Sequence, residues 1–166
     1  MRVFVGIDPG MTGGLAAVSE EGGLLSVIPI PRMNGSTGPQ DYHAIKDWFA
    51  SIKKMGKVEA ALERISVRPG EGVKSTLTAG KNWGFLKGML VAIGARYVEP
   101  TPQAWKKALS LPKRSGKERK KGKEDAVVLA TQLFPGLCLT PGKKRIPHDG
   151  MADAVLIAEY ARRVLG

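Results

Sequence analysis

Acidic residues follow two apolar stretches of the sequence, at the points where strands are expected to end. Asp8 follows the run 3–7 and precedes a turn in which Gly10 and Gly13 leave space beside its carboxylate. Such a carboxylate is suited to holding a metal ion or facing a phosphate. The alternative is an Asp that caps the turn through hydrogen bonds to its own backbone.

Glu63 ends a second apolar run, residues 58–62, which follows a predicted helix. A strand reached through a helical crossover is expected to lie parallel to a strand already in the sheet. If that neighbour is the first strand, Glu63 lies beside Asp8 at the edge where such sheets hold their sites. The alternative is an exposed charge at a strand end that pairs with Arg64.

Asp149 and Asp153 are four residues apart at the start of a predicted helix, so they share one face. Like charges at this spacing cost about a few tenths of a kcal/mol unless a cation lies between them. The sequence after Asp153 is largely apolar, which predicts that this helix is buried against the sheet. The alternative is that Asp149 is the N-cap and Asp153 an ordinary first-turn acid.

The elements that must position these acids follow from turn signals and apolar periodicity. They predict a single α/β domain over residues 1–166, with three antiparallel strands, then strands added in parallel, and flanking helices. The predicted strands are 3–8, 15–18, 24–30, 58–63 and 97–100; the predicted helices are 42–54, 73–93, one capped by Thr101, 125–134 and one from 149. In the long helix we expect Leu77 to be buried and the strip Gly80, Gly84, Gly88 to pack on a backbone of this chain or of a second copy.

The charge is unevenly distributed. The net charge is +11, yet residues 1–64 hold seven basic and seven acidic residues, so the whole excess lies in 65–166. Such an excess favours a polyanionic partner, with nucleic acid the first candidate and an anionic membrane surface the second. The segment 111–124 is expected to be a mobile basic loop that contacts phosphates; the alternative is a solvated charged loop. Its basic residues are Lys113, Arg114, Lys117, Arg119, Lys120, Lys121 and Lys123, and a second patch is Lys143, Lys144 and Arg145.

The composition excludes several classes. The single cysteine, Cys138, excludes an internal disulfide framework and a Cys-rich zinc site, and we expect its side chain to be buried. No apolar run approaches the ~18 residues of a membrane span, and the N-terminus lacks the layout of a signal peptide. We therefore expect a cytoplasmic protein with no membrane partner.

Three motifs, taken together, resemble a known family. They are Gly6-Ile7-Asp8-Pro9-Gly10-Met11-Thr12-Gly13, Ala61-Leu62-Glu63-Arg64 and Ala152-Asp153-Ala154. In this order and at these separations they resemble the RuvC-like Holliday junction resolvases of the ribonuclease H-like superfamily, over essentially the whole chain. The resemblance implies a ribonuclease H-like fold with a five-stranded mixed sheet.

The resemblance also implies an activity, that of a crossover junction endodeoxyribonuclease. Such enzymes act as homodimers that nick two opposed strands of a four-way DNA junction symmetrically, by Mg²⁺-dependent hydrolysis. By this resemblance Asp8, Glu63 and Asp153 would hold two Mg²⁺ ions, for which Mn²⁺ would substitute. No Lys, Cys or Ser is placed as a covalent nucleophile, so we expect direct attack by water. Arg64, Arg68, Lys81 and the basic residues named above are expected to contact DNA.

The sequence departs from the family pattern at two positions. The fourth acid stands three residues before the last Asp in some members, and that position here is Gly150. We assign the role to Asp149 rather than to His148, because hard cations prefer oxygen ligands. The second departure is Ser66, where the bacterial family has an aromatic wedge; stacking on the junction core is then expected either from another residue, with Trp83 the candidate, or to be weaker.

Other functions fit parts of the pattern. A different ribonuclease H-like nuclease, acting on branched DNA or RNA–DNA hybrids, shares the acids, and a non-catalytic junction-binding module shares the charge. The 8–13 segment also resembles the phosphate loop of actin-like sugar kinases, but those require two lobes and a second phosphate loop. For a junction resolvase, the expected setting is the cytoplasm of a bacterium or of a phage-infected cell.

Overall fold

A computed structural model describes residues 1–35, 38–66, 70–114, 118–142 and 145–166. The strands are β1 Arg2–Asp8, β2 Gly14–Ser19, β3 Leu24–Pro29, β4 Lys57–Leu62 and β5 Arg96–Val98. The helices are α1 Tyr42–Met55, α2 Val73–Ala92, α3 Pro102–Ala108, α4 Arg119–Leu133 and α5 Asp149–Leu165.

The five strands form one mixed sheet in the order β3-β2-β1-β4-β5. β1, β2 and β3 are antiparallel neighbours, whereas β4 lies parallel to β1 and β5 parallel to β4. The predicted fold class is therefore confirmed. β3 is an edge strand, consistent with Pro29, which cannot donate a hydrogen bond to a further strand.

Helices cover both faces of the sheet because β1 alternates its side chains between two apolar layers. Val5 and Ile7 pack with α1 and α2, while Phe4 faces α3, α4 and α5. Within the second layer α5 is central and is buried along most of its length. In the ranges above, no helix is long and apolar enough to cross a membrane.

Side chains cap the first turns of three helices, two of them at residue types that favour this position. Asp41 accepts a hydrogen bond from the Ala44 N–H at 3.0 Å, and Thr101 accepts one from the Ala104 N–H at 3.2 Å. The N-cap of α5 is His148, whose Nδ1 accepts from the Met151 N–H at 3.2 Å. Asp149 is thus the first residue of the helix, and its carboxylate is not the cap.

Three sequence expectations are wrong. The basic segment 111–124 is not all loop, because α4 begins at Arg119; Lys and Arg are good helix formers, and an isolated Gly122 does not stop the helix. Leu77 is 70% exposed, since it lies on the face of α2 turned away from the sheet. Cys138 is exposed in the segment after α4, with its sulfur 3.8 Å from Thr140 Oγ1.

Candidate active site

Asp8 and Glu63 lie side by side at one edge of the sheet. The register pairs Ile7 with Leu62 in the parallel β1–β4 ladder, so the next residue of each strand is an acid. The Glu63 N–H donates to the Ile7 carbonyl at 3.0 Å, which extends the ladder by one bond. Asp8 Oδ1 in turn accepts from the Gly10 N–H at 3.0 Å.

Glycines allow α5 to reach this edge. A Cβ at Gly6 would lie 2.1 Å from the Ala154 carbonyl oxygen, and one at Gly14 would lie 2.5 Å from the Gly150 carbonyl oxygen. A Cβ at Gly150 would lie 2.0 Å from the Thr12 carbonyl oxygen. No side chain fits between these backbones, so the first turns of α5, with Asp149 and Asp153, rest directly on the β1–β2 turn.

Three of the carboxylates hold their protons more tightly than ordinary acids do. Burial raises the pKa of Asp8 to about 6, with a further rise from the charge of Asp149. Burial and the charge of Asp8 raise the pKa of Glu63 to about 7 and that of Asp153 to about 7. The charge interactions place Asp8, Glu63 and Asp153 in one electrostatic cluster. The strand ends predict the proximity of Asp8 and Glu63, and α5 adds Asp153.

Asp149 behaves differently from the other three acids. Its burial would raise its pKa, but the hydrogen bond and charge of Lys123 outweigh burial and lower it. Lys123 Nζ lies 2.5 Å from Asp149 Oδ2, so α4 contributes a cation to the rim of the acidic cluster. The neighbouring His148 is engaged as the helix cap, and its backbone N–H donates to the Leu139 carbonyl at 2.7 Å.

Two tryptophans converge on Glu63. Trp105 Nε1 donates to Glu63 Oε2 at 2.7 Å, and Trp83 Nε1 donates to the Glu63 carbonyl oxygen at 3.1 Å. The Trp83 ring also lies under Lys87, whose Nζ is 4.9 Å from its centroid. The indole N–H and one face of Trp83 are therefore used within the chain, which does not favour its predicted role in stacking on DNA.

The donor set of this cluster suits a hard divalent cation, because every side chain in it offers carboxylate oxygen. Repulsion among these half-buried acids is also what a bound cation would relieve. Within the described ranges, however, no three His, Cys, Asp or Glu side chains are arranged as a formed metal site. The ligand types of the cluster are those of a magnesium site, but the side chains are not arranged around one point as in a formed site.

The chain was compared with protein-family models, curated proteins and solved structures. No protein-family model matches the chain, and no curated protein matches it. Two solved structures of Thermus thermophilus RuvC do match. The structure of RuvC in complex with a Holliday junction substrate aligns with a TM-score of 0.65 and 20% identity, covering 95% of this chain and 91% of that one. A second RuvC structure aligns with a TM-score of 0.58 and 22% identity, covering 95% and 92%. This chain has the RuvC fold.

A groove of about 1070 Å³ opens beside the acidic cluster of this RuvC fold, with Asp153 at its wall. Its cationic lining residues are Arg64, Lys106, Lys107, Lys113, Arg114 and Lys123. Arg114 forms an ion pair within the chain, with its Nε 3.0 Å from Asp125 Oδ2. The groove therefore combines exposed cations such as Lys107 and Lys113 with access to Asp153.

The remaining basic residues predicted to contact DNA fall into two groups. Lys81 on α2, Lys120 and Lys121 in the first turn of α4, and Arg145 are exposed, and none of them lines the groove. Arg68, Lys117, Lys143, Lys144 and the side chain of Arg119 lie outside the described residues.

Sequence reasoning missed two residues near the acids, both on α3. Lys106 lies close enough to lower the pKa of Asp8, Glu63 and Asp153, and Trp105 donates to Glu63. The Thr101 cap predicted the helix correctly. No motif in the sequence indicated that α3 faces the acids. The position of α3 depends on β5 lying beside β4 in the sheet.

Proposed function

We propose that this protein is a structure-selective DNA endonuclease that resolves four-way junctions by metal-dependent phosphodiester hydrolysis. The proposal rests on one observation above all. Three half-buried carboxylates with raised pKa values lie together at the ends of β1 and β4 and the start of α5 in a RuvC fold, next to a cationic groove.

Asp8, Glu63 and Asp153 would hold Mg²⁺, with Asp149 as the fourth acid and Mn²⁺ as a substitute. RuvC-like nucleases are generally dependent on divalent metal ions. When bound, such ions activate an attacking water and stabilise the leaving oxygen of a phosphodiester. Holding them requires the three acids to be ionised, and Lys106 favours that state by lowering their pKa values.

The chain's own residues would also place the DNA. The acidic cluster alone would repel a phosphate backbone, so cations beside it are needed to bring the scissile phosphate close. Lys107 and Lys113 are exposed in the groove that Asp153 borders and suit contacts to flanking phosphates. Contacts of this kind position a strand without reading its sequence.

A homodimer would supply the two sites needed for symmetric nicks. One face of α2 is exposed along the whole helix: Val73 is 85%, Leu77 70% and Val91 62% exposed. Between them, a Cβ at Gly80, Gly84 or Gly88 would meet no atom within 4 Å. We therefore assign the glycine strip to contact with a second copy of this chain. Because Trp83 on the same helix contacts Glu63, such a contact would fix the separation of the two sites.

The decisive test is a cleavage gel. A labelled four-way junction, a linear duplex of the same sequence and an RNA–DNA hybrid are each incubated with the protein and Mg²⁺. We expect paired nicks in opposed strands of the junction and no cutting of the duplex. Preferred cutting of the hybrid would instead indicate another ribonuclease H-like nuclease. Junction binding without cleavage in Mg²⁺ or Mn²⁺ would indicate a non-catalytic module.

A further inference from the structure

Three of the four hydrogen-bonding groups of Glu63, its N–H, its carbonyl oxygen and Oε2, have a partner among the described residues. Its N–H donates to the Ile7 carbonyl at 3.0 Å, and its carbonyl accepts from Trp83 Nε1 at 3.1 Å. Oε2 accepts from Trp105 Nε1 at 2.7 Å. For Oε1, no hydrogen bond to another described residue is found. One carboxylate oxygen is therefore pinned, and the other is left for a ligand.

The donor that pins Oε2 is rigidly placed. Trp105 is fully buried on α3, and its ring packs in the layer that contains α5. The Arg64 N–H donates to the Pro100 carbonyl at 2.9 Å, which ties the chain after Glu63 to the segment that enters α3. The distance from the indole to the carboxylate is thus fixed by backbone bonds at one end and by core packing at the other.

The chemistry of this donor differs from that of the Lys123 donor on Asp149. An indole N–H is a neutral donor with no acceptor capacity, so it orients a carboxylate without neutralising it. An ammonium at the same distance competes with a divalent cation for the carboxylate, which an indole does not. The indole therefore restricts the rotation of the Glu63 carboxylate without offsetting its charge.

We propose that Trp105 is a positioning residue, whose indole N–H fixes the Glu63 carboxylate so that Oε1 alone is presented to a divalent cation. The inference rests on the proposed function, since it assumes that Glu63 binds that cation. Partners that orient ligand side chains typically change metal affinity roughly 10–100-fold when removed.

The test compares Trp105→Phe with Trp48→Phe. Both changes leave an aromatic ring and remove one indole donor; Trp48 is 9% exposed and donates to Ser26 Oγ at 3.0 Å, away from the acids. By calorimetry on the whole protein, Trp105→Phe should weaken Mn²⁺ binding by about tenfold and Trp48→Phe should leave it unchanged. Equal affinity of the two variants would overturn the inference.

A second measurement does not depend on a variant that folds well. The chain has three tryptophans, so its nitrogen–proton correlation spectrum should hold three indole signals, which through-space contacts in the wild-type protein would assign. On titration with Mg²⁺ the Trp105 signal should shift and the Trp48 signal should not. Saturable Mg²⁺ binding that leaves the Trp105 signal in place would refute the positioning role. A wild-type protein that neither binds Mg²⁺ nor cuts junctions would instead refute the proposed function on which the inference rests.

Discussion

At the scale of single residues, repulsion within the acidic cluster destabilises the folded protein when no cation is bound. Asp8 and Asp153 are half-buried; loss of solvent raises the pKa of both, and the charge of Asp8 raises the pKa of Asp153 further. Acids whose pKa values are raised in this way occur in proteins mainly at functional sites.

Asp8→Asn should separate catalysis from binding. Asparagine keeps Oδ1, which accepts from the Gly10 N–H, but loses the negative charge. A bound metal is credited with several kcal/mol of transition-state stabilisation, so we expect junction cleavage to fall by at least ~100-fold. Gel shifts in Ca²⁺ should give the same junction affinity as wild type. Asp47→Asn, on the exposed surface of α1, is the control and should cut normally. Parallel loss of binding and cleavage in Asp8→Asn would point to a structural role.

Asp153→Asn should stabilise the metal-free protein at neutral pH. The pKa of Asp153 is raised from 3.8 to about 7, so its favourable contribution is complete below pH 3.8 and is lost as the pH rises through about 7. Removing the charge should therefore raise Tm at pH 8 and change it little at pH 4, as measured by thermal unfolding. Mg²⁺ should raise the Tm of wild type more than that of the variant. A variant less stable than wild type at pH 8 would contradict the assigned repulsion.

At the scale of elements, the site depends on backbone-to-backbone contact between α5 and the β1–β2 turn. The pairs involve Gly6 with Ala154 and Gly150 with Thr12, at distances that exclude a side chain. The helix carries its acids to the sheet edge only because these positions lack a Cβ.

Gly150→Ala should disturb both stability and metal binding. Its Cβ would lie 2.0 Å from the Thr12 carbonyl oxygen, and backbone cannot rotate away as a side chain can. Overpacking of this kind costs about 1–3 kcal/mol, which urea unfolding would measure. Gly23→Ala is the matched control, because its nearest contact would be Ser19 Oγ at 3.4 Å. A Gly150→Ala protein with wild-type stability and Mn²⁺ affinity would show that α5 can shift without loss.

At the scale of the whole molecule, two surfaces extend beyond the acids: the cationic groove and the exposed face of α2. We propose the first as the surface that binds DNA and the second as the contact with another copy of the chain. Each can be altered without touching the carboxylates.

Gly84→Arg should disrupt the proposed dimer. The position has open space around it, so the folded monomer tolerates a long side chain, whereas two helices in close contact do not. Sedimentation should give a dimer for wild type and a monomer for the variant. Gln132→Arg on exposed α4 is the control and should stay dimeric. If Gly84→Arg and wild type sediment alike, α2 is not the interface.

Charge removal in the groove should flatten the salt dependence of junction binding. Each lost phosphate contact reduces the slope of log affinity against log salt by roughly 0.9, so Lys107→Gln with Lys113→Gln should lower it by roughly 1.8. Lys53→Gln with Lys54→Gln removes the same charge at the end of α1, at the opposite edge of the sheet, and should leave the slope unchanged. Equal slopes for the two double variants would exclude the groove as the binding path.

The sequence by itself determined the elements and the strand-end acids. Apolar runs that stop at Asp8 and Glu63, and caps such as Asp41 and Thr101, are local signals, so the succession of strands along the chain and the starts of α1 and α3 followed from them. The sequence also showed that the excess of basic residues lies in its second part. Residues 119–124, predicted as a loop from their charge, are helical because Lys and Arg have high helix propensity.

Only the tertiary structure decided which groups meet the acids. Trp105 and Lys106 reach Glu63 because β5 lies beside β4, and Lys123 reaches Asp149 because α4 packs on α5. Local sequence does not specify contacts between elements so far apart along the chain, since they arise from packing. The sequence therefore indicated the acids, while the fold selected the donors and cations that surround them.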